Sequence, residues 1–167
     1  IRAQCMMGAK NHCVIMPDAN KDQAINHLLG SCFGAAGQRC MANSVAILVG
    51  EAKNWLPEIV EKAKAMTIDV GTNLTADLGP LVSPQAKQRV EGLIASGVEQ
   101  GATLLLDGRN PVVEGYDKGN FVAPTIFSDV NTDMDIYAQE IFGPVMCMME
   151  ADDINSAIDI VNANPNG

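Results

Sequence analysis

Phe33-Gly34-Ala35-Ala36-Gly37-Gln38-Arg39-Cys40 runs, after Met41-Ala42-Asn43, into Ser44-Val45-Ala46-Ile47-Leu48-Val49. The first stretch is a small-residue turn that ends on Gln, Arg and Cys. The second is an apolar run without polar alternation, as expected of a strand buried on both faces. Upstream of the turn, Ala24, Ile25, Leu28, Leu29 and Cys32 recur at helical spacing from Lys21 to about Phe33. Asp18 or Asn20 offers the N-cap, and Gly34 and Gly37 end the helix. Before it, His12-Cys13-Val14-Ile15-Met16 is a short apolar strand closed by Pro17-Asp18. Strand, helix and strand in that order form a βαβ unit, which predicts an α/β fold with a mostly parallel sheet flanked by helices.

The rest of the chain continues the alternation. Trp55 to Met66 is helical in period, with Leu56, Ile59, Val60 and Ala63 on one face and Pro57 in the first turn. Val70 to Val82 is turn-rich. Ser83-Pro84 opens a helix as N-cap and first residue, which carries Val90, Leu93, Ile94 and Val98 and stops at Gly101. Ala102 to Leu106 reads as a strand, and 109–120 as a loop or hairpin. Phe121 to Phe127 is strand-like, though Pro124 argues for an edge or a bulge. Met134 to Ala138 is a helical turn and Val145 to Met149 a strand. Asp152 to Asn162 is a helix expected to point Ile154, Ala157, Ile158 and Val161 inward.

The 167 residues suffice for one domain with a proper core. A net charge of −9 and a pI of about 4.5 repel phosphate backbones, which argues against nucleic acid as a partner. No apolar run approaches the ~20 residues of a membrane helix. The cysteines, Cys5, Cys13, Cys32, Cys40 and Cys147, form no C-x-x-C pair and no zinc spacing. Most lie beside apolar or small residues, as reduced thiols in a reducing compartment do, and burial as small hydrophobes suits four of them. Ile1 is not an initiator Met and Asn162 to Gly167 ends in a turn-like cluster, so the chain reads as a piece of a longer polypeptide.

A cysteine is a nucleophile only as thiolate, a form favoured by nearby cations and helix N-termini. Arg39 is one residue away, but neighbours in extended chain point to opposite sides. Arg39 can instead face a ligand carboxylate, which its guanidinium grips bidentately. A buried structural thiol with a surface arginine remains an equal reading of the same residues. His12 and His27 read as structural. Glu140, in Gln139-Glu140-Ile141-Phe142-Gly143-Pro144, either grips a ribose beside an aromatic ring or is a solvated Glu next to a core Phe. No G-x-G-x-x-G follows a strand, so the chain carries no nucleotide fingerprint of its own.

Taken together, Gly8-Ala9-Lys10-Asn11, Phe33 to Cys40 and Glu140 to Pro144 resemble the aldehyde dehydrogenase superfamily in wording, order and separation. The resemblance covers essentially the whole chain and is most detailed for the CoA-acylating branch that oxidises malonate and methylmalonate semialdehydes. It implies a catalytic domain over 1–167, with a dinucleotide-binding domain and a C-terminal segment outside it. A piece without these is expected to be inactive alone. It implies that Cys40 attacks the aldehyde, that NAD accepts hydride, that CoA takes the acyl group and that the β-carboxylate leaves as carbon dioxide. Arg39 then binds the substrate carboxylate, Glu140 the nicotinamide ribose, Phe142 packs near the nicotinamide, and Met7 offers a backbone contact to the cofactor. No metal is implied, and the parent enzyme is expected to be a homodimer or homotetramer. Its compartment is expected to be the bacterial cytoplasm or, in a eukaryote, the mitochondrial matrix.

One departure bears on mechanism. Hydrolytic members of the superfamily carry a Glu two residues before the first Gly of the first motif, where this chain has Met6. A thioether accepts no proton and cannot activate water. Thiolysis by CoA needs less help, because a thiol ionises far more readily than water. The alternative is a hydrolytic aldehyde dehydrogenase with a different base, releasing a free acid.

Overall fold

The computed structural model describes residues 1–5 and 7–166. Five strands, β1 (His12–Ile15), β2 (Val45–Val49), β3 (Thr103–Leu106), β4 (Thr125–Ser128) and β5 (Val145–Ala151), form one sheet in the order β1-β2-β5-β4-β3. All neighbours are parallel except β3 and β4. Helices α1 (Lys21–Phe33), α2 (Leu56–Lys64), α3 (Pro84–Glu99), α4 (Asp135–Ala138) and α5 (Ile154–Ala163) cover the two faces. The expected mostly parallel α/β architecture is therefore the observed one.

β2 is the sheet's apolar spine, and all of its residues are buried. Val45, Ile47 and Val49 join the core formed with α3, α4 and α5, while Ala46 and Leu48 join the core formed with α1 and α2. The two-residue period of a strand divides them. Helix starts follow the side chains that satisfy free N–H groups. Asn20 Oδ1 accepts from Gln23 N at 3.1 Å, Ser83 Oγ from Ala86 N at 3.1 Å, and Asp153 Oδ1 from Ser156 N at 2.8 Å.

Three expectations are corrected. Pro124 marks neither an edge nor a bulge in its own strand: β4 begins after it and lies inside the sheet, and the register shift falls on the partner between Leu104 and Leu106. Helix α5 packs through Ala157, Ile160 and Val161, an i, i+3, i+4 stripe, which turns Ile154 and Ile158 outward to 40% and 45% exposure. Of the cysteines, only Cys32 and Cys147 are buried; Cys13 is half-buried, and Cys5 and Cys40 are exposed. No helix among the described residues is long and apolar enough to cross a membrane.

What positions the site is the parallel register. His12 of β1 pairs with Val45 of β2, and Val45 with Cys147 of β5. The three segments that lead into these strands, 8–11, 38–44 and 139–144, therefore emerge on one edge of the sheet. It is the N-terminal edge, opposite to the carboxyl edge on which open α/β sheets usually bind ligands.

Candidate functional site

The nucleophile candidate sits in a turn built by backbone strain. After α1, Ala35 (φ 52°, ψ 33°), Ala36 (φ 52°, ψ 36°) and Gly37 (φ 69°) are all left-handed. Ala35 and Ala36 pay about 1–2 kcal/mol each for that conformation. Gln38 braces the far side: its Nε2 donates to Pro80 O at 3.3 Å and its Oε1 accepts from Val82 N at 2.9 Å. A second turn follows, closed by Ala42 N donating to Arg39 O at 3.0 Å, and it carries Cys40 exposed at its second position.

Arg39 has a different engagement from the one expected. Its Nη2 donates to Gly30 O at 2.7 Å and to Ser31 O at 3.0 Å, carbonyls of the last turn of α1. A cation is favoured at that end of the helix dipole. Arg39 also lines the cleft described below.

The second candidate loop runs from Gln139 to Pro144. Glu140 is half-buried, Phe142 is 41% exposed, and Phe142 has φ 54°, a left-handed conformation costly for a non-glycine residue. Arg89 of α3 reaches across to this loop. Its Nη1 donates to Ile141 O at 2.6 Å and its Nη2 to Glu140 O. The Glu140 carboxylate accepts no hydrogen bond from the described residues, which leaves its oxygens available as acceptors.

The two loops touch at their glycines. A Cβ on Gly37 would fall within contact distance of Gly143 O and 2.5 Å from Gly143 C, so the backbones meet where no side chain intervenes. A narrow cleft follows this seam, lined among others by Asn11, Arg39, Ser44, Glu140 and Phe142. The structure thus brings Arg39, Glu140 and Phe142 to one cleft and puts Cys40 on the adjoining turn. Met7 is 89% exposed on the segment ahead of β1. Met6 lies outside the described residues.

Two residues at the centre of this arrangement have no role in the sequence-based reading. Lys10 is 2% exposed, and its Nζ donates to Ile136 O at 2.6 Å and Gln139 O at 2.9 Å. Burial is the main influence on this amine and holds its pKa below the usual lysine value. Asn11 Nδ2 donates to Cys40 O at 2.8 Å and Ala42 O at 3.0 Å. The available signal was a Lys-Asn pair between small residues and an apolar strand, a place where a lysine is rarely buried unless its amine has partners.

His12 is engaged at both ring nitrogens. Its Nδ1 faces Lys10 O at 2.7 Å, so it carries the proton, and its Nε2 lies 3.0 Å from the Tyr137 hydroxyl, which donates to it. Burial, ahead of the opposing hydrogen bond to Lys10 O and aided by the nearby Lys10 charge, lowers its pKa. His27 is exposed on α1. Burial pushes the Cys147 thiol up to about 11 and that of Cys32 higher still, so neither is a thiolate near neutrality. Among the described residues no cluster of three His, Cys, Asp or Glu side chains could hold a metal ion.

Comparison with known proteins bears on the family and the fold. The family model described as "Aldehyde dehydrogenase family" matches residues 1–167. A mitochondrial, acylating methylmalonate-semialdehyde/malonate-semialdehyde dehydrogenase of Bos taurus is 60% identical over 166 residues, 99% of this chain and 31% of the relative. A solved structure from Sinorhizobium meliloti 1021, assigned to the methylmalonate-semialdehyde dehydrogenases and complexed with NAD, superposes with a TM-score of 0.91 at 46% identity. It covers 94% of this chain and 32% of its own. The methylmalonate-semialdehyde dehydrogenase of Oceanimonas doudoroffii gives 0.90 at 39% identity, covering 94% and 33%. The chain spans about a third of the length of these proteins.

Proposed function

Because the chain belongs to the aldehyde dehydrogenase family, we propose that it is the catalytic part of a CoA-acylating, NAD-dependent dehydrogenase of malonate or methylmalonate semialdehyde. The observation that carries the reading is the shared edge of the sheet. A solvent-facing thiol, a carboxylate with open acceptor positions and an aromatic ring are carried by loops that meet backbone to backbone. The whole protein would include a dinucleotide-binding domain and a further segment beyond these 167 residues. It would be a homodimer or homotetramer, in the bacterial cytoplasm or, like its mitochondrial relatives, in the mitochondrial matrix of a eukaryote.

In this proposal the Cys40 thiolate adds to the aldehyde carbon. The N–H of Cys40 donates to the oxyanion that forms, a contribution that exists only as charge develops. NAD, when bound, supplies the hydride acceptor. The Cys40 sulfur then holds the acyl group as a thioester, dividing one difficult oxidation into two easier steps. CoA thiolate displaces the sulfur of Cys40, and the β-carboxylate leaves as carbon dioxide. Glu140 accepts the hydroxyls of the nicotinamide ribose, which its unoccupied acceptor positions suit. Phe142 flanks the nicotinamide and Met7 offers its backbone. Arg39 takes the substrate carboxylate with the part of its guanidinium not bound to α1. Met6 in place of a basic Glu leaves water without an activator, which favours release by CoA over hydrolysis.

The test uses the full-length polypeptide with methylmalonate semialdehyde, NAD and CoA. NAD reduction should depend on CoA for turnover, yield a CoA thioester, and vanish in Cys40→Ala. Reduction that survives Cys40→Ala would sink the assignment of the nucleophile. A free acid formed without CoA would establish the hydrolytic reaction instead.

A further inference from the structure

Lys10 and Asn11 are consecutive residues on the segment leading into β1, yet they bind different functional loops. Lys10 holds Ile136 O, within the single turn of α4, and Gln139 O at its C-cap, carbonyls that have no helical N–H to take them. Glu140 is the next residue in the chain. Asn11 uses both hydrogens of its amide on Cys40 O and Ala42 O, carbonyls of the exposed turn itself. The Asn11 carbonyl in turn accepts from Ser44 N and Val45 N, both at 3.1 Å, which fixes this segment to the start of β2.

Placing a lysine amine where it is 2% exposed is expensive and is tolerated only when its donors are matched. A purely structural position would more cheaply carry Met or Leu. Neighbouring side chains in extended backbone diverge, so one dipeptide reaches the nucleophile turn with one arm and the cofactor loop with the other.

We propose that Lys10 and Asn11 are positioning residues that together set the placement of Cys40 relative to Glu140. Lys10 fixes the loop that presents the ribose acceptor, and Asn11 fixes the turn that presents the thiol. The inference rests on the proposed dehydrogenase reading. It assigns the two arms separable effects.

The experiment measures two quantities in the full-length polypeptide. One is the dissociation constant for NAD, from quenching of protein fluorescence. The other is the second-order rate of Cys40 alkylation by iodoacetamide without NAD. Lys10→Met, which keeps volume and removes the donors, should weaken NAD by about tenfold or more and leave alkylation within about twofold. Asn11→Leu should do the reverse, changing the alkylation rate by about fivefold or more with NAD affinity nearly unchanged. Lys10→Gln retains a donor and should recover part of the NAD affinity, and it carries the test if Lys10→Met does not fold. Loss of both quantities in each variant, or of neither, would overturn the clasp. Failure of the wild-type protein to bind NAD would instead overturn the dehydrogenase reading on which the clasp rests.

Discussion

The seam between the two loops makes Gly37→Ala the most informative single substitution. Gly37 has φ +69°, and a Cβ there would fall within contact distance of Gly143 O, 2.5 Å from Gly143 C and 3.1 Å from Pro144 N. Two costs add. Holding an alanine in the left-handed region costs about 1 kcal/mol. Forcing a methyl group against backbone that cannot rotate away costs roughly another 1–3 kcal/mol. Ala35 and Ala36 already carry the first cost in the same turn, so the contact is what decides. A total of about 2–4 kcal/mol, at about 2–4 °C per kcal/mol for a domain of this size, lowers the melting midpoint by roughly 4–16 °C. Gly30→Ala is the matched control. Gly30 is an exposed glycine inside α1 with nothing within 4 Å of the added carbon. It should gain up to about 1 kcal/mol from helix propensity alone. Thermal melts of both variants in the full-length polypeptide provide the assay. A Gly37→Ala midpoint equal to wild type would refute the claim that the loops are locked backbone to backbone.

Two further outcomes follow from the hydrogen bonds. Arg39→Leu should raise KM for a carboxylated semialdehyde far more than for an uncharged aldehyde, and should also cost about 1 kcal/mol of stability, because the bonds from Arg39 to Gly30 O and Ser31 O are lost. An equal KM change on both aldehydes would remove Arg39 from substrate recognition and leave only its capping role. The second outcome concerns His12. Because its folded-state pKa lies below the ordinary 6.5, the unfolded chain binds more protons than the folded one below that pH. The His12 contribution is therefore whole above about pH 6.5 and is lost as pH falls through the lowered value, a direction fixed by linkage. His12→Gln should flatten the stability profile below about pH 6.5 in urea titrations, and a variant as pH-sensitive as wild type would show that other groups set the slope.

How much of this was legible in the sequence varied with the physics involved. β2 and α1 were readable because burial on both faces and helical period leave their mark on single residues. The cap at Ser83 was readable because the chemistry is local, while Asn20 was one of two candidates that the structure decides between. Helix α5 was misjudged where tertiary packing chose among several apolar stripes: Ala157 lets the helix approach closely, and Ile154 and Ile158 are left outside. The candidate nucleophile turn stood out through its composition, but its left-handed run did not, since Ala35 and Ala36 give no sign of φ near 52°. Lys10, Asn11 and Arg89 were invisible as site-builders. Their partners are backbone carbonyls 29 to 129 residues away for the first two, and 51 and 52 away for Arg89. No side-chain pattern encodes a carbonyl.

The alignment of three strand beginnings on one edge also sets a scale. Adjacent strands lie about 4.8 Å apart, so the segments ahead of β1 and β5 stand roughly 10 Å from each other with the Cys40 segment between them. The sheet order makes the turn that carries Cys40 the middle mark of this rule. Side-chain replacement can recolour the marks, but it cannot move them, because their spacing belongs to the backbone hydrogen bonds. Descendants of such a scaffold would change their chemistry by altering what the loops carry, while the distance between the loops stays fixed by the sheet.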